Sequence, residues 1–292
     1  MKNWKHLVMA SLALAGVPVA AKVPLPAAIF TDPAHDVKHP ARMEVLHIPS
    51  GDVLLNGVAY LASGQGPHPT LVIMHGLPGN EKNLDLAQAV RRAGWNAITF
   101  NYRGSWGSPG KFSFLGNLED GPAVLAYLRD PKTAVKLGID TSRLALAGHS
   151  MGGWVAAMTA ERDPKLMGTA LISAANMGGL GLTGPRLVSE MADNLESLAT
   201  NAQAMAEEID QHKAAFDWTS GAASLARRPL LILSSDDGLA PGTDALSSVV
   251  RGVKGSQVTT LHVATDHGWS DRRIRLESEV IRWLATLKRV LQ

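Results

Sequence analysis

Cysteine is absent from these 292 residues. That excludes disulfides, thiolate metal sites and a cysteine nucleophile. Aromatic residues make up only 5% and charged residues only 18%. Lysine and arginine exceed aspartate and glutamate by two, too small an excess for nucleic-acid binding by bulk charge. What is present in quantity is apolar, at 46%, which speaks against extended disorder and permits a substantial core.

Both surplus lysines, Lys2 and Lys5, precede an uncharged run from Leu7 to Ala21 that ends in Val19-Ala20-Ala21. A basic start, a short apolar stretch and small residues at its end predict a secretory signal peptide over residues 1–21. Fifteen apolar residues fall short of the roughly 20 that span a bilayer, so no stable span is expected after cleavage. No cysteine follows the run, which excludes a lipidated N-terminus. Without Lys2 and Lys5 the basic and acidic residues balance, at 26 each. The expected location is periplasmic or secreted.

Residues 22–42 carry Pro24, Pro26, Pro33 and Pro40 and read as an extended lead-in. His35 and His39 have the spacing of a helical metal pair, but the flanking prolines argue against a helix and for a solvated linker. From residue 43 onward one domain accounts for the chain. Met43–Ile48 and Val53–Leu61 flank Pro49-Ser50-Gly51-Asp52 as a hairpin. Apolar strands then alternate with helical stretches, predicting strands at Leu71–Met74, Asn96–Phe100, Leu144–Ala147, Gly168–Ser173, Pro229–Leu233 and Gln257–Val263. The helices fall at Asn83–Ala93, Leu118–Leu128, Met151–Arg162 and Arg272–Leu291. That alternation implies α/β architecture with a parallel sheet covered on both faces.

Residues 176–228 break the rhythm. Met191, Leu195, Leu198, Ala202, Met205, Ile209, His212 and Phe216 recur at spacings of four and three, predicting one helical seam, read as a cap over the sheet's carboxyl edge; a coiled-coil partner surface is the alternative. Its acidic residues, among them Glu190, Glu207 and Glu208, are expected to form a solvated face, with a preference for cationic substrates as the functional alternative. Gly179-Leu180-Gly181-Leu182-Thr183-Gly184 spells a dinucleotide fingerprint. It opens no obvious helix, because Pro185 and Arg186 follow, and no second strand with a terminal acid comes about 20 residues on.

The stretch that carries chemistry is Leu144-Ala145-Leu146-Ala147-Gly148-His149-Ser150-Met151-Gly152-Gly153, a strand, then Gly-x-Ser-x-Gly, then a helix. A serine on so sharp a turn needs neighbours without side chains two before and two after it. A helix starting at Met151 points free amides at the serine.

On these residues the chain resembles the α/β-hydrolase superfamily over roughly residues 43–291. The turns His75–Asn80 and Asn101–Gly110 look most like those of small bacterial esterases of the feruloyl and cinnamoyl type and of related serine peptidase-like hydrolases. The resemblance implies an α/β-hydrolase fold with a helical cap inserted before the strand that bears the catalytic acid. It implies a triad of Ser150, Asp237 and His267. Asp236 competes with Asp237, but the family pattern Asp-x-x-x-Pro selects Asp237, four before Pro241. The backbone amides of Leu77 and Met151 are the implied oxyanion donors. His75 is expected as a structural turn residue, His262 as a packing residue, and His149 as pointing away from the nucleophile. Arg103 is expected in an ion pair with Glu119 or Asp120. Trp106, Met191 and Met205 are candidates for the substrate pocket.

The implied reaction needs no metal or organic cofactor and acts on a small-molecule ester, or alternatively an amide or peptide, through an acyl-enzyme. A binding protein that has lost catalysis is the remote alternative. With no propeller-sized segment before the domain, a small enzyme is expected rather than a large oligopeptidase.

Overall fold

The computed structural model describes residues 24–287. The expected signal segment and the last turn of the expected terminal helix lie outside the described residues. Strands β1 (Arg42–Ser50) and β2 (Val53–Leu61) form the hairpin, with Ser50 paired to Val53 across a two-residue turn in which Gly51 takes φ +59°. The strands β3 (His68–Met74), β4 (Asn96–Phe100), β5 (Ile139–His149), β6 (Thr169–Ile172), β7 (Leu230–Ser235) and β8 (Val258–Val263) follow. The sheet order is β1-β2-β4-β3-β5-β6-β7-β8; the β1–β2 and β2–β4 pairs are antiparallel and every later pair is parallel.

The helices are α1 (Leu84–Arg92), α2 (Phe114–Arg129), α3 (Pro131–Leu137), α4 (Met151–Arg162), α5 (Gly184–Ala192), α6 (Ala202–His212), α7 (Ala222–Leu225), α8 (Ala240–Arg251) and α9 (Arg273–Thr286). The sheet sorts them by the two-residue period of a strand. Leu71, Ile73, Ala145, Ala147, Leu231 and Leu233 face one way, into a core closed by Leu86 and Val90 of α1 and Leu276, Val280 and Leu284 of α9. Val72, Met74, Leu144, Leu146, Leu171 and Ile232 face the other, against Val124, Leu125 and Leu128 of α2 and Trp154 and Val155 of α4. Each inner strand is apolar on both faces because both are covered.

The inserted region is not one helical seam. The stretch from Met191 to Phe216 is divided between two helices, α5 and α6, with Leu195 and Leu198 in the irregular stretch between them. The backbone there is spent on the loop after β4. Ser197 takes φ +59° and its carbonyl accepts from Trp106 N–H, while Ala199 N–H donates to Gly104 O at 2.7 Å and its carbonyl accepts from Phe112 N–H. Those amides cannot also serve a helix. Helix α6 then restarts at Asn201, whose side chain caps Ala204 N–H at 2.9 Å. The acidic face is also not wholly solvated: Glu208 accepts from the amides of Phe114 and Leu115 at 2.8 and 2.9 Å and so caps the start of α2. The Gly-rich stretch does run into a helix, since α5 begins at Gly184 with Pro185 in its first turn, where a missing N–H costs nothing. No strand follows it before β7, as a dinucleotide fold requires. Helices α3 and α8 are not evident from the sequence, since fewer than half of the residues in each are apolar.

Candidate active site

The carboxyl ends of β3, β5, β7 and β8 converge on one cavity of about 360 Å³. Ser150 sits between β5 and α4 with φ +57° and ψ −126°, a backbone conformation that side chains rarely tolerate. The flanking glycines explain how it is reached. A Cβ on Gly148 would stand 2.1 Å from Gly152 O, and one on Gly152 would stand 2.2 Å from Met74 O. The turn is then tied to its neighbours: Ser150 N–H donates to Ile172 O, and Ser150 O accepts from Ala175 N–H.

Ser150, Asp237 and His267 all line this cavity. His267 Nδ1 lies 2.8 Å from Asp237 Oδ2, with His267 partly exposed and the Asp237 side chain only 4% exposed. The proton belongs on Nδ1, because the carboxylate can only accept, which leaves the Nε2 lone pair for a proton from a nucleophile. Burial works against a charge on Asp237. The bonds from His267, from Leu239 N–H (2.9 Å) and from the Ser235 hydroxyl (3.0 Å) outweigh it and hold the acid down at about 2.

The two aspartates of the β7 turn are separated by geometry. Asp236 is 62% exposed and meets His262 Nε2 at 2.9 Å. His262 is therefore not a packing residue: β8 is an edge strand, and this side chain is half exposed and bonded to Asp236 and to Ser234 Oγ at 3.0 Å.

Leu77 and Met151 line the cavity beside Ser150. Met151 opens α4, so its amide has no acceptor within the helix and is free to meet an oxyanion. The chain after β3 comes so close that a Cβ on Gly76 would lie 2.8 Å from Ser150 Cβ. His75 holds this turn: its Nδ1 donates to Gly76 O at 2.7 Å, and burial pushes it down to about 4, so it is neutral.

Of the three pocket candidates, Met191 lines the cavity, with Met177, Leu180 and Leu239. Met205 does not; it is 1% exposed within the core of the inserted region. Trp106 does not either. Its indole N–H is turned to Pro78 O at 2.7 Å, and Lys82 Nζ lies 4.2 Å above its ring, so it clamps the loop after β3. Glu190, expected on a solvated acidic face with a cationic-substrate preference as the alternative, reaches the cavity rim, as does Asn194, which the sequence did not single out. Arg103 pairs with both of its expected partners at 2.8 Å, the exposed Glu119 and the fully buried Asp120.

No group of three or more His, Asp or Glu among the described residues is placed to hold a metal. No helix among them is long and apolar enough to cross a membrane.

Known proteins of similar fold include both esterases and peptidases. A carboxylesterase from a metagenomic library, EstE1, superposes with TM-score 0.60 at 20% identity, over 85% of this chain and 91% of its own. The acylaminoacyl peptidase of Pyrococcus horikoshii does so with TM-score 0.62 at 16% identity, over 88% of this chain and 43% of its own. In sequence, an sn-1-specific diacylglycerol lipase of Xenopus tropicalis is 32% identical over 109 residues, 37% of this chain and 31% of the lipase. The chain spans less than half the length of each curated relative it matches. The family model for serine aminopeptidases, S33, matches residues 65–235, more than half of the chain, so the protein belongs to that family of hydrolases on the α/β-hydrolase fold.

Proposed function

We propose that this hydrolase is exported and cleaves carboxylic esters of small or medium acyl groups through Ser150, His267 and Asp237. The observation that carries the reading is the convergence of these three side chains on one cavity, with the His267–Asp237 bond already formed at 2.8 Å. His267 takes the Ser150 proton as Oγ attacks the acyl carbon. The tetrahedral oxyanion is held by the amides of Leu77 and Met151. His267 then returns the proton to the leaving alcohol, and water releases the acyl group by the reverse sequence. Asp237 keeps the imidazole in its productive tautomer. The Met177, Leu180, Met191 and Leu239 side chains supply an adaptable apolar wall for a short acyl chain. Export is supported by the basic start, apolar run and Val19-Ala20-Ala21 end of residues 1–21.

One observation favours a second reading, an aminopeptidase-like amidase. Glu190 places a carboxylate at the rim of the same cavity, where it would hold a substrate's ammonium group. A series of p-nitrophenyl esters of rising chain length, run beside aminoacyl-nitroanilides, separates the two. Faster turnover of the short esters is expected; faster turnover of the anilides, lost in Glu190→Gln, transfers the assignment to the peptidase reading. Labelling of Ser150 by a fluorophosphonate is expected, and ester turnover that survives Ser150→Ala sinks the mechanism.

A further inference from the structure

The acid Asp237 is the end of a buried file of hydrogen bonds. Trp269 Nε1 lies 2.9 Å from Ser173 Oγ, Ser173 Oγ lies 2.6 Å from Ser235 Oγ, and Ser235 Oγ lies 3.0 Å from Asp237 Oδ2. Trp269 is fully buried, and Ser173 and Ser235 are each 1% exposed. Three elements contribute: Ser173 from the end of β6, Ser235 from the end of β7, and Trp269 from the loop after β8, two residues beyond His267. Backbone strain marks both ends of the first bond, with φ +42° at Ser173 and +58° at Trp269.

The direction of the file is fixed by its ends. An indole N–H can only donate and an ionised carboxylate can only accept. Each hydroxyl between them has one proton, so Ser173 accepts from Trp269 and donates to Ser235, and Ser235 donates to Asp237. Every proton is used and none is duplicated. Reversal would set the Ser173 hydroxyl proton against the indole proton. On Asp237 the Oδ2 atom then receives two donors, Ser235 and His267 Nδ1–H, which leaves no lone pair on that oxygen for a proton. Aligned bonds in a dry interior polarise one another, so the file acts on the carboxylate as a unit.

We propose that Ser173, Ser235 and Trp269 are positioning residues that act through Asp237: a one-way donor file that keeps the acid ionised and holds His267 with its proton on Nδ1. The proposal rests on the reading of Ser150, His267 and Asp237 as the triad. The file also closes a ring, because Trp269 belongs to the same loop as the histidine that Asp237 orients. Loss of a hydroxyl therefore has two effects. The carboxylate becomes more basic and holds the imidazolium more tightly, so the neutral imidazole forms only at higher pH. The acid is also free to swing, so fewer molecules carry a correctly aimed base. The other charged or titratable groups facing this site are His149 behind His267, Asp266 on its own loop, Arg273 on α9 and Glu190 at the cavity rim.

The test uses the full chain and p-nitrophenyl acetate. Fluorophosphonate labelling of the wild type at Ser150 comes first; its absence removes the triad reading itself and the file with it. Given labelling, Ser235→Ala is expected to lower kcat about tenfold or more with KM within about twofold, and to move the acid limb of the kcat/KM profile up by about half a pH unit. Ser173→Ala moves both in the same direction by less, and Ser235→Thr, which keeps the hydroxyl at a strand position that tolerates a β-branched residue, restores the wild-type values. Alanine variants with an unmoved acid limb overturn the proposal, whether activity is retained or falls together with the melting temperature, since a packing role predicts that pattern. If the alanine variants do not fold, proton spectra of the wild type decide. Two hydroxyl protons protected from exchange, coupled to Ser173 and Ser235, are expected; hydroxyls that exchange at solvent rates overturn it.

Discussion

His149 Nε2 lies 2.8 Å from the main-chain carbonyl of His267, and the two imidazoles stand 4.6 Å apart at a tilt of 43°. The residue before Ser150 thus grips the backbone of the candidate base. Its side chain reaches the loop that delivers His267. A carbonyl can only accept, so Nε2 carries the proton. Burial, helped by the nearby His267, pushes His149 down to about 4, so it stays neutral wherever the enzyme would work. His149→Phe keeps a ring in the space and loses the bond. We expect kcat for a short p-nitrophenyl ester to fall about tenfold with KM little changed, because only the aim of the base is lost.

The adjacent aspartates should behave very differently. Asp237→Asn keeps the shape but offers His267 an amide, which favours the wrong tautomer. The expected loss in kcat is about 10⁴-fold. Asp236→Asn weakens an exposed pair with His262 and should leave kcat within about threefold and stability within about 1 kcal/mol. Equal losses in the two variants would refute the assignment.

Gly152 is demanded by backbone rather than by chemistry. Its Cβ would stand 2.2 Å from Met74 O and 2.4 Å from His75 O, both main-chain atoms that cannot rotate away. Gly152→Ala should destabilise the protein by about 3 kcal/mol or prevent folding, read from urea titration or from soluble yield.

The pair Asp85 and Glu277 is tied through Arg273 to the loop that bears His267. Arg273 bonds Asp85 and also donates to Gly268 O at 3.0 Å. Burial, followed by the charge of Asp85, raises Glu277 to about 7 from an ordinary 4.5. The folded state then holds a proton that the unfolded chain has released across that window, so stability falls as pH rises through it. Glu277→Gln should make the protein more stable than wild type by about 2 kcal/mol at pH near 8, with the gap closing below about pH 4.5. Thermal melts across pH test this; a gap that is constant with pH refutes it.

Arg103 should matter through the charge it leaves behind. Asp120 is fully buried and accepts from Arg103 and from Ser50. Arg103→Met strands that carboxylate and should cost about 3–5 kcal/mol, whereas Arg103→Met with Asp120→Asn should recover much of it. Chemical denaturation of both variants gives the comparison.

The sequence by itself determined the alternation of strands and helices, because strands buried on both faces must be apolar throughout and surface helices must be amphipathic. It also determined the Ser150 turn, since Gly148 and Gly152 leave no other residue type room. Asp237 and His267 were legible too, as turn residues at the ends of apolar strands and through the family resemblance. Tertiary structure decided the rest. The seam from Met191 to Phe216 is periodic enough for one helix, but the amides near Ala199 are claimed by the loop after β4, a competitor almost 100 residues away. Trp106 and Met205 are apolar side chains in plausible places, yet one bonds Pro78 and the other fills the inserted region's core. Ser173, Ser235 and Trp269 carry no local signal, because a serine at a strand end is ordinary until three elements bring their side chains within bonding distance. Composition and period report which residues are buried; only the assembled chain decides which buried polar atoms must satisfy one another.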